Sequence, residues 1–555
     1  MWTFRRTAAA LAAALLLAAC TKVPDASAPG GGAAATVATA RARHAFTIPH
    51  TLRIGDNQDI TTLNPHLGAA TSLGNLSEMT MAYLLRADAH NRPMPELATE
   101  VPTQANGGIS ADGRTLTWHL RRGVKWSDGA AFDADDVVFS THAVLNPANN
   151  EIGRDGWDLI TQIDEPDKYT VVFHLKKAYA AYFPTFFGSP GANPCILPKH
   201  LLGALPNINN APYNSKPVGI GPFRVTEWVR SDHVTLEANP LYWRGAPKLQ
   251  KVVYRIIPDR NTLLTQLQTG EIDMWVYVGP GYYGRTRAVP TVTVFRKPDY
   301  YYAHIDFNMT HAALRDPAVR QALRYATDRK TIVEKVNHGT GLAQEGMETP
   351  VSPMFHALPF VPFDIGKANS LLDAAGWVRG ADGIRAKNGQ KLNLEFALQS
   401  GNPDYDQLVE LIRSTWQQIG VALQVRRYQA GLFFGPYQSG GIIYSGKFDA
   451  VFFSWGLDPV GDLSNLFECN QMPPAGQNDP RYCNHATDEL LEAVKKTYEE
   501  RARAELVAKV IDALDRDVPT VVLYVRDEIH AYNTDLHGWT PNQISPFDAM
   551  MNADI

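Results

Sequence analysis

The sequence predicts a large mixed α/β body, and three observations support this fold class. Residues 115–120 (TLTWHL) alternate apolar and polar side chains, as in a half-buried strand. Residues 518–525 (VPTVVLYV) form a nearly continuous apolar run, which is typical of a strand in the middle of a sheet. Helical patterns stand between the strand patterns, without the regular rhythm of a barrel and without a fixed-period repeat.

The first clear helix follows a turn and has strong start signals. Asp128-Gly129 predicts the turn, and Asp133 predicts the cap of a helix through residues 134–145. Asp135 and Asp136 then fall in the first helical turn, where the helix dipole favours carboxylates. We therefore expect a hairpin followed by a helix in this region.

Three further helices are predicted in the second half of the chain. Asp316 followed by Pro317 predicts a cap and a first helical residue. Residues 328–337 predict another helix, which ends before Gly339. Residues 486–515 predict a long charged helix that leads into the apolar strand at 518–525.

The N-terminus has the pattern of a bacterial secretion signal. Arg5 and Arg6 precede an apolar stretch over 8–19, which is shorter than the roughly 20 residues needed to span a bilayer. The stretch closes with Leu-Ala-Ala-Cys, which resembles the lipobox of bacterial lipoproteins. The resemblance implies removal of the signal peptide (1–19) and lipidation of Cys20.

A tether is predicted after Cys20. Residues 20–45 are rich in small residues, Gly and Pro and offer little to bury. A flexible chain of this length reaches roughly 25 to 30 Å. We therefore expect the folded body to begin at residue 46, close to a membrane that it contacts only through the lipid.

The composition of the body excludes some partners. The formal charge is −5, and it becomes more negative when Arg5 and Arg6 are removed. No block of Lys and Arg occurs, so nucleic acid is not an expected partner. No apolar stretch of 18 residues follows residue 46, so no second membrane anchor is predicted.

Three further cysteines need separate interpretation. Cys469 and Cys483 flank a loop rich in Pro, Gly and Asn, and in an exported chain this predicts a disulfide. A Cys-based metal site is the alternative, although no pair of ligands has zinc-finger spacing. Cys195 then has no partner, and we expect it to be a buried free thiol.

Motifs for chemistry are absent from the sequence. Residues 441–447 (GIIYSGK) match the first part of a P-loop, but Phe448 stands where Ser or Thr must hold magnesium. Neither an HExxH helix nor a GxSxG elbow occurs. An enzyme is therefore not predicted, although scattered catalytic groups would leave no motif, and no cofactor or metal is expected.

Eight stretches stand out in order over most of the body. They are DITTLNPH (59–66), DGRTLTWHLRRGVKWSDGAAFDADDVVFS (112–140), PVGIGPFRVTEW (217–228), ANPLYWRGAPKL (238–249), RIIPDRNTLLTQLQTGEIDM (255–274), DPAVRQALRYATDRKTIV (316–333), KANSLLDAAGW (367–377) and FDAVFFSWGLDP (448–459). Together they resemble the family 5 extracellular solute-binding proteins, the peptide- and nickel-type binding components of ABC importers. Ile220 departs from the family, which usually has Thr there, and 308–316 (NMTHAALRD) replaces a proline-rich stretch.

The resemblance implies a periplasmic-binding-protein-like type II fold with two lobes around a ligand. Lobe I would comprise 46–95, 217–300 and 521–555, with an inserted domain at 96–216 and lobe II at 301–520. Strands crossing between the lobes are expected at 301–308 and 518–525. Hinge closure around the ligand is the expected motion.

The resemblance also implies a ligand site. In peptide-binding members an aspartate three residues after a tryptophan holds the ligand's amine, and here this pattern is Trp455, Gly456, Leu457 and Asp458. Asp458 is the first candidate and Trp455 a candidate for the wall. From the residues alone, an Asp before Pro is equally typical of a local turn, and a Trp is equally typical of core packing.

Weaker candidates lie on the crossing strands and at the rim of lobe I. Tyr302 and His304 fall on the first crossing strand and Tyr524 on the last, although aromatic residues on strands are more often core. His304 keeps a metal chelate open as ligand. Thr71 and Ser72 fall at the expected rim, and no residue is assigned to the ligand's carboxyl terminus.

These features predict a monomeric, lipid-anchored protein on the periplasmic face of a bacterial membrane. It would bind short peptides and deliver them to an ABC permease, and the Cys469–Cys483 loop, ending RYCN, resembles dipeptide-type members. Two alternatives remain open. The same fold can bind a nickel chelate, an opine or an oligosaccharide, or the chain can act as an enzyme or chaperone scaffold.

Overall fold

A computed structural model describes residues 43–68, 70–88, 90, 92–151, 153–154, 156–188, 194–435, 437–456, 460–542 and 545–555. The predicted signal peptide, Cys20 and most of the predicted tether lie outside these residues. His44–Ile555 form one compact unit. Among the helices of the described ranges, none combines the length and the apolar character needed to cross a bilayer.

The described residues contain strands of two to 16 residues. In chain order they are β1 (Thr51–Asp56), β2 (Leu85–Ala87), β3 (Pro93–Pro95), β4 (Thr115–His119), β5 (Ile160–Asp167), β6 (Thr170–Leu175), β7 (Phe223–Val229), β8 (His233–Ala238), β9 (Lys251–Ile256), β10 (Met274–Trp275), β11 (Val292–Phe307), β12 (Leu342–Ala343), β13 (Val378–Arg379), β14 (Arg385–Lys387), β15 (Gln390–Lys391), β16 (Asn393–Gln399), β17 (Ala422–Tyr428), β18 (Ala450–Gly456) and β19 (Thr520–Asn533).

Helices alternate with these strands along the chain. In chain order they are α1 (Thr71–Thr80), α2 (Ala134–Leu145), α3 (Tyr182–Thr185), α4 (Lys199–Leu202), α5 (Arg260–Thr269), α6 (Pro280–Arg287), α7 (Pro317–Tyr325), α8 (Arg329–Thr331), α9 (Ile365–Ala374), α10 (Pro403–Gln418), α11 (Ala430–Phe433), α12 (Ser464–Phe467), α13 (His485–Lys496) and α14 (Glu500–Asp517).

One 11-stranded sheet forms the centre of the molecule. Its order is β17-β16-β18-β11-β19-β10-β1-β9-β8-β7, with β12 also paired to β19. The sheet is mixed, because β1 runs parallel to β9 and β10, whereas β11 runs antiparallel to β18 and β19. This arrangement agrees with the predicted α/β class.

Two long strands, β11 and β19, connect two groups of strands in this sheet. The first half of β11 pairs with the second half of β19, which also pairs with β10. The second half of β11 pairs with β18. The group β1, β7, β8, β9 and β10 is therefore joined to the group β16, β17 and β18 through β11 and β19, which we call the crossing strands.

Each group of strands has its own apolar core. On β1 and β9, Ile54 and Val252 are fully buried in the first core. On β11, Ile305 and Phe307 pack in the second, together with Trp416 of α10. Such separate cores are typical of a molecule with two lobes.

A smaller antiparallel sheet, β4-β6-β5, lies within residues 96–216 and packs against α2. Its core is aromatic, with Trp118 and Phe173 at a ring-centroid distance of 6.4 Å. Asp133 caps α2 as predicted, because its side chain accepts from the backbone N–H of Asp135 in a capping box with Asp136. The predicted boundaries of the lobes and the inserted domain stay a proposal.

Several predicted elements have different bounds in the structure. The crossing strands are longer than 301–308 and 518–525, because pairing continues through the polar segments beside those apolar runs. The helix predicted over 328–337 is one turn of α8 followed by a π-helix over Ile332–Val336. The helix predicted over 486–515 is two helices, α13 and α14, and Glu499 caps the second.

The compact unit begins at His44, two residues before the predicted start of the folded body at residue 46. The backbone N–H of His44 donates to Asp535 Oδ2 at 2.7 Å, and its ring Nε2 lies 2.9 Å from Thr534 Oγ1. These contacts depend on residues near the C-terminus. Composition alone therefore gave no sign of them.

Candidate functional site

The pairing of the crossing strands is interrupted where the sheet passes from one group of strands to the other. On β11, pairing with β19 is interrupted after Pro298 and resumes at Tyr302. Residues 299–301 therefore stand opposite Arg526 alone. Bulges of this kind redirect side chains and are frequent at functional sites, so this point is the candidate site.

Arg526 presents an accessible guanidinium at the bulge. Its side chain is 45% exposed, and its Nη2 lies 3.9 Å from Asp299 Oδ2, which is too long for a hydrogen bond. Its Cζ lies 4.9 Å from the centre of the Tyr301 ring. Tyr301 is itself 44% exposed, so a cation on an aromatic face is open to solvent here.

Asp299 is the buried acid of this group. Its Oδ1 accepts from the backbone N–H of Tyr300 at 2.6 Å. Burial raises the pKa of Asp299 to about 7, and the nearby Arg526 opposes that rise. The charge at the bulge therefore changes near neutral pH.

Glu528 and His530 follow Arg526 on the same face of β19, because side chains alternate along a strand. His530 Nε2 lies 2.7 Å from Glu528 Oε1, and both residues are buried. Burial lowers the pKa of His530 to about 3 and raises the pKa of Glu528. The imidazole is therefore neutral, and Glu528 Oε2 has no hydrogen-bond partner among the described residues.

Hydrogen bonds connect α1 to strands β1 and β9 of the main sheet. Tyr277 Oη donates to Asn75 Oδ1 at 2.8 Å, and Asn75 Nδ2 donates to Tyr254 Oη at 2.8 Å. Tyr254 Oη in turn donates to Asp56 Oδ2 at 2.5 Å. A satisfied network of this kind fixes the position of α1.

The predicted rim residues begin α1. Thr71 is its first residue and is exposed. Ser72 is fully buried, and its backbone N–H donates to Gln58 Oε1 at 3.0 Å. A role for Thr71 or Ser72 in ligand binding stays a prediction.

Three predicted site residues come together on the face of the sheet opposite to Arg526. Tyr302 pairs with Trp455, and the Tyr302 and His304 rings lie 4.8 Å apart. All three line a small pocket of about 10 Å³. Tyr302 and His304 are each 2% exposed, so neither offers a surface to a solute.

Tyr524 lies on the same face as Arg526 but is buried. Burial is the main cause that raises its pKa to about 12, and the neighbouring Asn337 side chain opposes that rise. The structure therefore separates Tyr524 from Tyr302 and His304, with which the sequence grouped it. The reason is the alternation of side chains along paired strands.

The Trp455–Asp458 pattern begins at the end of β18. Gly456 is exposed and pairs with Tyr301 of β11. A Cβ atom at Gly456 would lie 3.0 Å from Tyr301 Cε1, so the ring packs directly on this glycine. Leu457 and Asp458 lie outside the described residues, and their predicted roles stay predictions.

Sequence reasoning missed the polar residues of the bulge. Arg526, Asp527, Glu528 and His530 directly follow the apolar run of this strand. A cluster of charged residues at the end of a predicted central strand was the available signal. Their proximity to Asp299 was hidden, because it depends on the pairing of two strands far apart in the chain.

Three of the four cysteines lie within the described residues. The structure joins Cys469 and Cys483 in a disulfide, and Cys195 is free and buried. His485 Nδ1 lies 3.8 Å from Cys469 Sγ. These three side chains, with the disulfide opened, are the one group of candidate metal ligands within the described ranges.

Solved structures share this fold across nearly the whole chain. HbpA2 from Haemophilus parasuis matches with a TM-score of 0.78 and 23% identity, covering 91% of this chain and 99% of that one. NikZ from Campylobacter jejuni, in complex with Ni(L-His), matches with a TM-score of 0.74 and 26% identity, covering 91% and 99%. The fold is that of the type II periplasmic binding proteins.

The particular family follows from the sequence. The model of the bacterial extracellular solute-binding proteins, family 5 Middle, matches residues 92–473, and the chain belongs to this family. The oligopeptide-binding protein AppA of Bacillus subtilis is 26% identical over 495 residues, 88% of each chain. A dipeptide-binding protein of Pseudomonas aeruginosa is 26% identical over 464 residues, 79% of this chain and 83% of that one.

Proposed function

We propose that this protein captures short peptides outside the cytoplasmic membrane and delivers them to an ABC permease. One observation carries the proposal. β18 ends with Trp455 and Gly456 at the point where the sheet changes from one group of strands to the other, beside the exposed Tyr301 ring, and Asp458 follows Gly456 by two residues in the sequence. The peptide binders among its relatives support the same ligand class.

Asp458 is the proposed acceptor of the peptide's α-amino group. A carboxylate in an enclosed site binds an ammonium strongly, while the peptide backbone can be held without reading side chains. Trp455 and Leu457 would then contribute to the surroundings of that acceptor, and Gly456 leaves room for the Tyr301 ring.

The test is peptide binding by an Asp458→Asn variant. We expect the affinity for di- and tripeptides to fall by about 30-fold or more, as when a buried charge pair loses one partner. Calorimetry with free and N-acetylated peptides measures this, and Asp512→Asn, at an exposed carboxylate, is the control. Unchanged affinity in Asp458→Asn would remove Asp458 from the site.

A metal chelate is the second candidate ligand, because the structure of NikZ with Ni(L-His) is similar to this chain. An opine or an oligosaccharide is a further non-peptide possibility for the same fold. A thermal-shift panel of peptides, Ni²⁺ with L-histidine, opines and oligosaccharides separates them. A shift with a non-peptide solute alone would replace the peptide proposal, and no catalytic step is part of either proposal.

The protein is further proposed to be a monomeric lipoprotein of the cell envelope, anchored through Cys20 after removal of residues 1–19. A Cys20→Ser variant should lose its acyl chains and leave the membrane fraction. Mass spectrometry of the mature N-terminus and fractionation of cells measure both effects. A wild-type protein that is soluble and unacylated would contradict the anchor.

A further inference from the structure

Two arginines on the crossing strands have similar neighbours but different bonding. Arg296 of β11 lies 5.0 Å above the Tyr283 ring and forms an ion pair with Asp527. It also donates to the carbonyl of Gly339 at 2.8 Å. The guanidinium of Arg296 is therefore bonded to groups of the protein itself and has a structural role.

Arg526 of β19 has the same type of aromatic support but lacks such bonds. It lies 4.9 Å above the Tyr301 ring, and its nearest carboxylate oxygen, on Asp299, is 3.9 Å away. We find no hydrogen bond from its guanidinium to the described residues. Its side chain is nevertheless 45% exposed, against 31% for Arg296. A guanidinium that is held in place with unused donors is suited to bind a carboxylate from outside the chain.

We infer that Arg526 binds the carboxyl terminus of the captured peptide. This inference rests on the proposed function and names the residue that fixes the other end of the ligand. The Tyr301 ring packs on Gly456 and also lies 4.9 Å from the Arg526 guanidinium. Gly456 precedes the proposed amine acceptor, Asp458, by two residues in the sequence, and the proposed substrate class is di- and tripeptides with a free carboxyl terminus.

The surroundings of Arg526 agree with this role. The charged and titratable groups that face it are Asp299, Tyr301, Tyr405 and Tyr524, with Glu528 further along the same strand. Asp299 is the nearest competitor for the guanidinium. It is buried and already accepts from a backbone N–H, so an incoming carboxylate can take the exposed donors.

The experiment compares free and C-terminally amidated dipeptides in wild-type protein and in Arg526→Gln. In the wild type, amidation should weaken binding by about 10- to 100-fold, the usual size of a charge-assisted hydrogen-bonded pair. In Arg526→Gln the free peptide should bind as weakly as the amide does. Arg296→Gln, from the opposite face, should keep the full preference for the free acid.

The outcomes distinguish the role of Arg526 in binding the carboxylate from peptide capture by the protein as a whole. An amidation penalty that persists unchanged in Arg526→Gln would place the carboxylate elsewhere and overturn the inference, while peptide capture would stand. A wild type that binds neither form would overturn the proposed function itself. A folded Arg526→Gln protein is verified by its circular dichroism and by binding of amidated peptides at wild-type strength.

Discussion

At the scale of single residues, the bulge in the crossing strands brings an acid and a base close together without a hydrogen bond between them. Arg526 and Asp299 are 3.9 Å apart, and only the arginine is open to solvent. A buried carboxylate with so loose a partner is costly to ionise. Protonation of Asp299 relieves this cost.

Asp299 should make the protein less stable as the pH rises. Its folded pKa is raised to about 7 from an ordinary value of 3.8, so the folded state retains a proton that the unfolded state loses. The stabilisation is full below about pH 4 and is lost as the pH rises towards 7. Relative to wild type, Asp299→Asn should gain about 1 to 4 kcal/mol in unfolding free energy between pH 4 and 8.

Urea unfolding at four pH values between 4 and 8 measures this effect. Glu505→Gln, at an exposed carboxylate, is the control and should track the wild type at every pH. A constant difference between Asp299→Asn and wild type would show that the carboxyl titrates normally in the folded protein.

The candidate site could be predicted from the sequence only in part. The Trp455–Asp458 pattern was visible because its spacing is local. The site at Arg526 and Asp299 was not visible, because it arises from pairing between distant strands and from a bulge that no local pattern signals. Tyr302 and His304 were placed on the correct strand, but a shift of one residue decides which face a side chain occupies.

At the scale of elements, a buried ion-pair network holds α7 and α8 to the rest of their lobe. Glu345 Oε2 accepts from Arg324 Nη2 at 2.8 Å and from Arg329 Nη1 at 2.6 Å. Glu345 Oε1 accepts from the backbone N–H of Val361 at 2.7 Å. One carboxylate therefore connects two helices and a loop.

Glu345→Gln should be strongly destabilising. It leaves two buried guanidinium groups without their shared charge, which costs about 3 to 5 kcal/mol. Glu410→Gln is the control, because its pair with Arg413 is exposed and contributes about 1 kcal/mol or less. Chemical denaturation measures both variants, and equal losses would mean that the buried network contributes no more than the surface pair.

The disulfide should stabilise the segment between α12 and α13. It closes a loop with a sequence separation of 14. Such a loop is worth about 3 kcal/mol by the chain-entropy relation. The double variant Cys469→Ser with Cys483→Ser should lose about that much, and reduction of the wild type should reproduce the loss. If the reduced protein regains its stability with Zn²⁺, the metal-site alternative gains support.

The elements themselves were predictable where signals are local. The Asp133 capping box and the Asp316-Pro317 start gave the correct helices. The break between α13 and α14 at 497–499 was missed, because Glu499 caps α14 by accepting from the backbone N–H groups of Arg501 and Ala502, and Glu is not among the usual capping residues. The crossing strands were recognised by their apolar halves, while their polar halves look like loops.

At the scale of the whole molecule, the two groups of strands share only the crossing strands within the main sheet. Away from that sheet, Tyr498 Oη donates to the carbonyl of Gly113 and accepts from the backbone N–H of Tyr179, which joins the loop between α13 and α14 to the region of the smaller sheet. A junction of few strands with a bulge at its centre is suited to hinge motion.

Peptide binding should therefore close the molecule as well as stabilise it. At a ligand concentration of 100 times Kd, binding contributes about 2.7 kcal/mol, which raises Tm by about 2 to 3 °C for a chain of this size. Small-angle scattering should show a smaller radius of gyration with the same peptide, and Asp458→Asn should lose both effects. A full shift in Tm without compaction would mean that the peptide binds to a cleft that is already closed, and that the bulge at Arg526 serves recognition without acting as a hinge.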